Sequence, residues 1–150
     1  NYRDNCWSIG TISRNCWFDS FGFRKVPFAF SSSGLLYNHE NGTDDAGSAI
    51  SAHITSSPIE IDSAGNNLML VDKIIPDITM TGSLSCTVLS KKYPNDSTIT
   101  KGPFTIQSDT AKISMRSRGR QVSLKLESTS LGDSWSFGDF RMNSRQDGLR

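Results

Sequence analysis

The strongest constraint on this chain is a two-residue rhythm. Val122, Leu124 and Leu126 alternate with Ser123, Lys125 and Glu127, the period of a strand with one buried and one wet face. Other stretches alternate in the same way. No long segment repeats apolar residues at i, i+3, i+4 and i+7, as an amphipathic helix requires. The reading is therefore all-β, with strands predicted at 49–55, 58–61, 68–75, 78–81, 84–91, 103–107, 111–117, 120–128, 135–137 and 139–143. Upstream, residues 6–9 and 12–18 read as two short strands around Gly10. Residues 26–30 form a third, with Pro27 placing it at an edge or a strand start, and 35–37 return after the turn Ser31–Gly34.

Turn chemistry separates these runs. Asn41-Gly42 is a strong turn signal at the head of a polar loop reaching Gly47. Ser63–Asn67 reads as a loop and Tyr93-Pro-Asn-Asp-Ser97 as a turn. Gly132-Asp133 reverses the chain before Trp135 and Phe137, and Phe140 and Met142 follow Gly138. Many short strands with few helices point to a sandwich, barrel or propeller. The predicted organisation is a partial β-propeller blade over 1–48, incomplete at its N-terminal side, and an antiparallel β-sandwich-like domain over 49–150. Asn1 stands where a start codon would give Met, so residues are expected upstream.

Composition narrows the function. Apolar residues make up 35% of the chain, a low share that suits a core completed by a neighbouring subunit. Net charge is +1, so the whole chain is no obvious nucleic-acid binder. The charge is uneven: residues 1–100 carry seven basic and ten acidic side chains, whereas residues 101–150 carry nine and five. The basic C-terminal third suits a DNA path or an acidic partner surface. Three cysteines, Cys6, Cys16 and Cys86, form no disulfide framework or zinc pattern and read as reduced thiols. No window reaches the roughly 18 apolar residues of a membrane span, and no signal peptide is visible.

Groups able to do chemistry are few. His39 and His53 show no metal-binding spacing, and His39 reads as a strand-end or interface residue. Glu40, Asp44 and Asp45 surround Gly42 without the order of a calcium loop, so a solvated acidic turn is expected. No phosphate-binding glycine loop or nucleophile elbow is present. Asn41–Thr43 and Asn95–Ser97 match glycosylation sequons by pattern alone. Ser128–Trp135 is similar to the Asp-box of sialidase-like propellers, Ser-x-Asp-x-Gly-x-x-Trp, but Ser130 replaces the organising Asp, leaving a hairpin. The expectation is a protein that is not an enzyme, with no catalytic, cofactor or metal residues and no cofactor.

The densest charge feature is Arg116-Ser-Arg118-Gly-Arg120-Gln121. Arginines at alternate positions project from one side of an extended backbone and favour bidentate carboxylate or phosphate contacts. Arg116, Arg118, Arg120 and Gln121 are therefore the candidate site, as a subunit interface or a lumen-facing surface. A solvated turn is the competing reading.

Three stretches carry a family resemblance. The first is Cys6-Trp-Ser-Ile-Gly-Thr-Ile-Ser-Arg-Asn-Cys-Trp-Phe-Asp19, followed by Gly34-Leu-Leu-Tyr-Asn-His-Glu-Asn-Gly42. The second is Lys73-Ile-Ile-Pro-Asp77. The third is Arg118-Gly-Arg-Gln121, then Gly132-Asp-Ser-Trp-Ser-Phe-Gly138 and Arg145-Gln-Asp-Gly-Leu-Arg150. Their order resembles the C-terminal region of tail nozzle or hub (tail tubular) proteins of short-tailed bacteriophages. Ser136 departs from a pattern that often has a basic residue after the Trp. The resemblance implies a structural virion protein. Copies would form a ring, usually hexameric, that contacts portal, adaptor and other tail proteins and extends the DNA-ejection channel. DNA would pass through transiently, and no membrane span is implied. The alternative is a carbohydrate-binding β-sandwich or adhesin of a tail fibre or spike, with Trp7, Trp17 and Trp135 as sugar platforms. A propeller-class hydrolase fragment is a third reading, without a compelling carboxylate pair.

Overall fold

The computed structural model describes residues 5, 7, 9–62 and 65–149. It is all-β: no helix occurs among these residues, the strands pair antiparallel, and no sheet closes into a barrel. No helix is long and apolar enough to cross a membrane. Two compact units divide after Gly42, earlier than the expected break after residue 48. The intervening residues build a small hairpin, β4 (Asp44–Asp45) against β5 (Ser48–Ala49). The hairpin turns through Ala46 and Gly47, both at positive φ. This is the backbone hand that two-residue hairpin turns require, and the sequence reading left this segment as loop.

The first unit is a three-stranded meander of β1 (Cys16–Phe18), β2 (Phe28–Phe30) and β3 (Leu36–Asn38). The strand expected over 12–18 shrinks to its last three residues, and 9–15 are not strand. The strand expected over 6–9 falls partly on Cys6 and Ser8, outside the described residues. Among the described residues of this unit, only Phe28 and Ala29 are buried. Phe18 stacks on Phe28 at 5.1 Å, with Phe21 and Phe30 packed beside it.

The second unit contains two larger sheets. One has the order β10 (Ile113–Gly119), β7 (Met69–Thr81), β12 (Ser134–Gln146). The other has the order β6 (Ala52–Thr55), β11 (Gln121–Ser128), β8 (Leu84–Lys91), β9 (Ile99–Ile106). They share one apolar core. Met69, Val71, Ile74 and Ile113 come from the first sheet, and Cys86, Val88, Ile106, Val122, Leu124 and Leu126 from the second. From β6 onward every connection except the β8–β9 turn at Tyr93–Ser97 passes between the sheets.

Two predicted pairs of strands are single long strands. β7 runs straight through Pro76, where the sequence suggested a break. β10 pairs with β7 only as far as Ile74, so at Pro76 the second edge of β7 is unpaired and the missing N–H breaks no ladder. β12 runs through Gly138, where its register against β7 shifts by a bulge. The shift moves the inward parity from Trp135 and Phe137 to Phe140 and Met142, so all four pack against the same core. The expected strand at 58–61 is only an isolated bridge, Ile59 to Val122. β9 begins at Ile99, well before the expected 103, with a bulge at Gly102-Pro103 opposite Thr87.

The Ser128–Trp135 segment is not a hairpin, because β11 and β12 lie in different sheets. Asp133 organises it, accepting hydrogen bonds from the Ser130 N–H and from the Ser83 N–H of the β7–β8 connection, both at 3.1 Å. Trp135 Nε1 donates to Ser128 Oγ at 2.9 Å. One carboxylate thus joins the two inter-sheet crossings at this end of the unit.

Candidate functional site

The arginine segment is itself a crossing. β10 ends at Gly119, β11 begins at Gln121, and Arg120 lies between. A Cβ on Gly119 would sit 2.8 Å from the Lys91 carbonyl oxygen and 3.1 Å from Ser90 Cβ, so the close passage over β8 requires glycine. The Arg120 N–H donates to the same Lys91 carbonyl at 2.8 Å.

The four candidate residues have different surroundings. Arg120 is engaged within the chain. Its Nη1 donates to the carbonyls of Gly65, at 3.1 Å, and Asn66, its Nη2 donates to Leu149 O at 3.1 Å, and its guanidinium lies 5.2 Å from the Tyr93 ring centroid. Arg120 Nε is buried without a partner among the described residues. Within the chain its donors tie the 65–66 loop to the C-terminal segment, and its guanidinium lies over the Tyr93 ring of the β8–β9 turn. Gln121 Nε2 donates to Glu60 Oε1 at 2.8 Å. Arg118 pairs with Asp147, Nε to Oδ2 at 2.5 Å, and its Nη2 donates to the Asp147 carbonyl at 2.7 Å. Asp147 N and Gly148 O in turn exchange hydrogen bonds with Leu68, each at 2.8 Å. Arg116 is exposed.

Arg116 and Arg118 line one open groove of about 270 Å³ together with Lys92, Lys101, Leu68, Ser90 and Ile99. Sequence reasoning missed the two lysines. Lys101 pairs with Val88 across β8 and β9. Val88 is fully buried, so Lys101 occupies the inner-facing register of an edge strand. Lys92 continues β8 just past its last residue. Only the strand register brings these positions beside β10, and no local motif marks them. Ser117, between the two arginines, is buried, and its Oγ has no partner among the described residues.

The other candidates separate. Glu40 and Asp44 are exposed, and among the described residues no group of three or more His, Cys, Asp or Glu is placed to hold a metal ion. His39 follows β3 and lies against Trp17, ring centroids 4.2 Å apart, while Arg14 Nε donates to its Nε2 at 3.3 Å. Arg14 also covers the Tyr37 ring at 4.3 Å. His53 is exposed on β6 opposite Glu127. Cys86 is buried in the core, and desolvation pushes its thiol up to about 11, whereas Cys16 is exposed. Cys6 lies outside the described residues. A second, mainly apolar cleft is lined by Ile54, Ile74, Ile78, Leu126, Phe137 and Phe140 among others, with Thr55 and Ser56 at its side.

No protein-family model matches the chain, and no curated protein matches it.

Proposed function

We propose that this protein is a structural subunit of a bacteriophage tail, of the nozzle or hub type, acting in the virion as one member of a ring and not as an enzyme. The observation that carries the reading is the first unit's inability to close a core. Among its described residues it buries only Phe28 and Ala29 and leaves Trp17, Phe18, Phe21, Phe23, Leu35 and Leu36 exposed. Three strands of three residues each are marginal alone, and a patch of this size marks a surface that another element covers. A propeller blade has this property, since its faces pack on neighbouring blades. The second unit, with two sheets on one core, is then the β-sandwich-like domain of the same subunit.

A ring places copies in heterologous contacts that close by rotation. The hexamer, the portal and adaptor neighbours and the passage of DNA follow from the family resemblance. The test is the native mass of the complete gene product. A discrete oligomer of several subunits supports the reading, and a stable monomer contradicts it.

The adhesin reading keeps specific support. Trp7 is exposed, and Trp17, 52% exposed and braced by His39, is a usable stacking platform. Trp135 is not comparable, because it packs on the core. Specific binding on a glycan array, lost in Trp17→Ala, would favour this alternative.

A further inference from the structure

We propose that the groove between β9 and β10 is a binding site for phosphate groups, and that its ligand is a nucleic-acid backbone, held without regard to sequence. Four cations, Lys92, Lys101, Arg116 and Arg118, line it, and no acidic side chain does. Among the described residues Asp147 pairs with Arg118, and the lining holds no counter-ion for the remaining three charges. Repulsion among like charges brought together by the fold is relieved when an anion enters.

The arrangement fits a chain of phosphates better than a single anion. Arg116 and Arg118 stand two residues apart on an edge strand, Arg116 within its irregularity between Ser114 and Ser117, and Lys101 stands on the edge strand of the other sheet. The cations therefore form rows on two sides of an open groove rather than one closed cup. The arginine forks suit phosphate oxygens. The floor offers Leu68, Ile99 and the buried Ser90. It has no aromatic ring on which a base would stack, so the contact is to backbone, and backbone contacts position a nucleic acid without reading it.

A bland account exists for part of this. A charged residue facing inward on an edge strand protects that edge from pairing with another chain. That role explains Lys101 alone, and needs neither Lys92 nor the two arginines of β10.

The site does not rest on the ring proposal. The experiment is fluorescence anisotropy of the complete gene product against a fluorescein-labelled DNA duplex of mixed sequence, titrated at several salt concentrations. The expected affinity is weak, about 10⁻⁴ to 10⁻⁶ M at physiological salt, with a log–log salt slope of about −3 for the three unpaired cations and a part of the fourth. The double variant Lys92→Gln/Lys101→Gln removes two exposed charges. It is expected to weaken binding at least tenfold and to flatten the slope by about 2, with an unchanged circular dichroism spectrum. An affinity or slope unaltered in the variant overturns the proposal. Inorganic phosphate that displaces the duplex stoichiometrically at constant ionic strength reassigns the groove to a small anion and overturns the nucleic-acid ligand. A variant that dissociates the native assembly while binding DNA as before assigns the groove to an acidic protein face, which also overturns it. Loss of DNA binding with an unchanged assembly mass supports the groove whatever that mass is, so this claim and the ring fail separately.

Discussion

Arg118 and Asp147 meet through both side chain and backbone: Nε lies 2.5 Å from Oδ2, and Nη2 donates to the Asp147 carbonyl at 2.7 Å. The contact joins the edge strand β10 to the segment that follows β12, at the rim of the basic groove. Both side chains are partly exposed, so its worth as an ion pair is small. Its consequence is positional, since it fixes one guanidinium while Arg116, two residues away, stays available. Arg118→Ala is expected to loosen residues 147–149, seen as faster amide exchange at Asp147 and Leu68, whose N–H groups join this segment to the chain just before β7, with little change in global stability.

Arg120 is the opposite case. Its guanidinium serves three backbone carbonyls and a tyrosine ring from three separate segments. Arg120→Ala leaves those carbonyls without their charged donor and is expected to cost about 1–3 kcal/mol. Arg116→Ala, at an exposed position, is expected to fall within about 0.5 kcal/mol of the unmodified chain. Urea unfolding of the two variants separates a stabilising arginine from a surface one.

Gly119→Ala is expected to destabilise the second unit by about 1–3 kcal/mol, the range of overpacking in a tight interior. The added Cβ meets the Lys91 carbonyl at 2.8 Å, and backbone on both sides has to shift. The same substitution at Gly132 meets nothing within 4 Å but forces alanine to φ +82, so its smaller cost is conformational strain. Thermal melts of both variants test the ordering.

The two described cysteines differ in reactivity. Cys16 is exposed and Cys86 buried, with its thiol raised from 9.0 to about 11 by desolvation. Ellman's reagent at mildly alkaline pH is expected to modify Cys16 in the native protein and Cys86 only on unfolding. The raised value means that the unfolded chain loses this proton first. The stabilising contribution is full below pH 9 and is lost as pH rises from about 9 to 11. Cys86→Val is expected to lose less stability across that window than the unmodified protein, measured by denaturation at each pH.

Much of the fold was legible because it rests on local chemistry. The alternation in β11 is the observed one, with Val122, Leu124 and Leu126 buried, and β8 spans the expected Leu84–Lys91. The errors cluster where a local breaker is excused by tertiary context. Pro76 lies where β7 is paired on one side only, with β12, and Gly138 lies on a bulge, and neither circumstance can be read from neighbouring residues. The candidate site was half legible. The arginine spacing exposed the segment, but which arginines stay available depends on Asp147, Gly65 and Leu149, distant in sequence. Lys92 and Lys101 join the groove only through strand register.

We have proposed that this chain belongs to a subunit built to be one member of a ring. The most direct measurement is the mass of the complete gene product in its native state, by mass photometry. A ring subunit is expected to give one discrete species of several subunits, six by the family resemblance, that persists on dilution. A stable monomer at the same concentrations would contradict it.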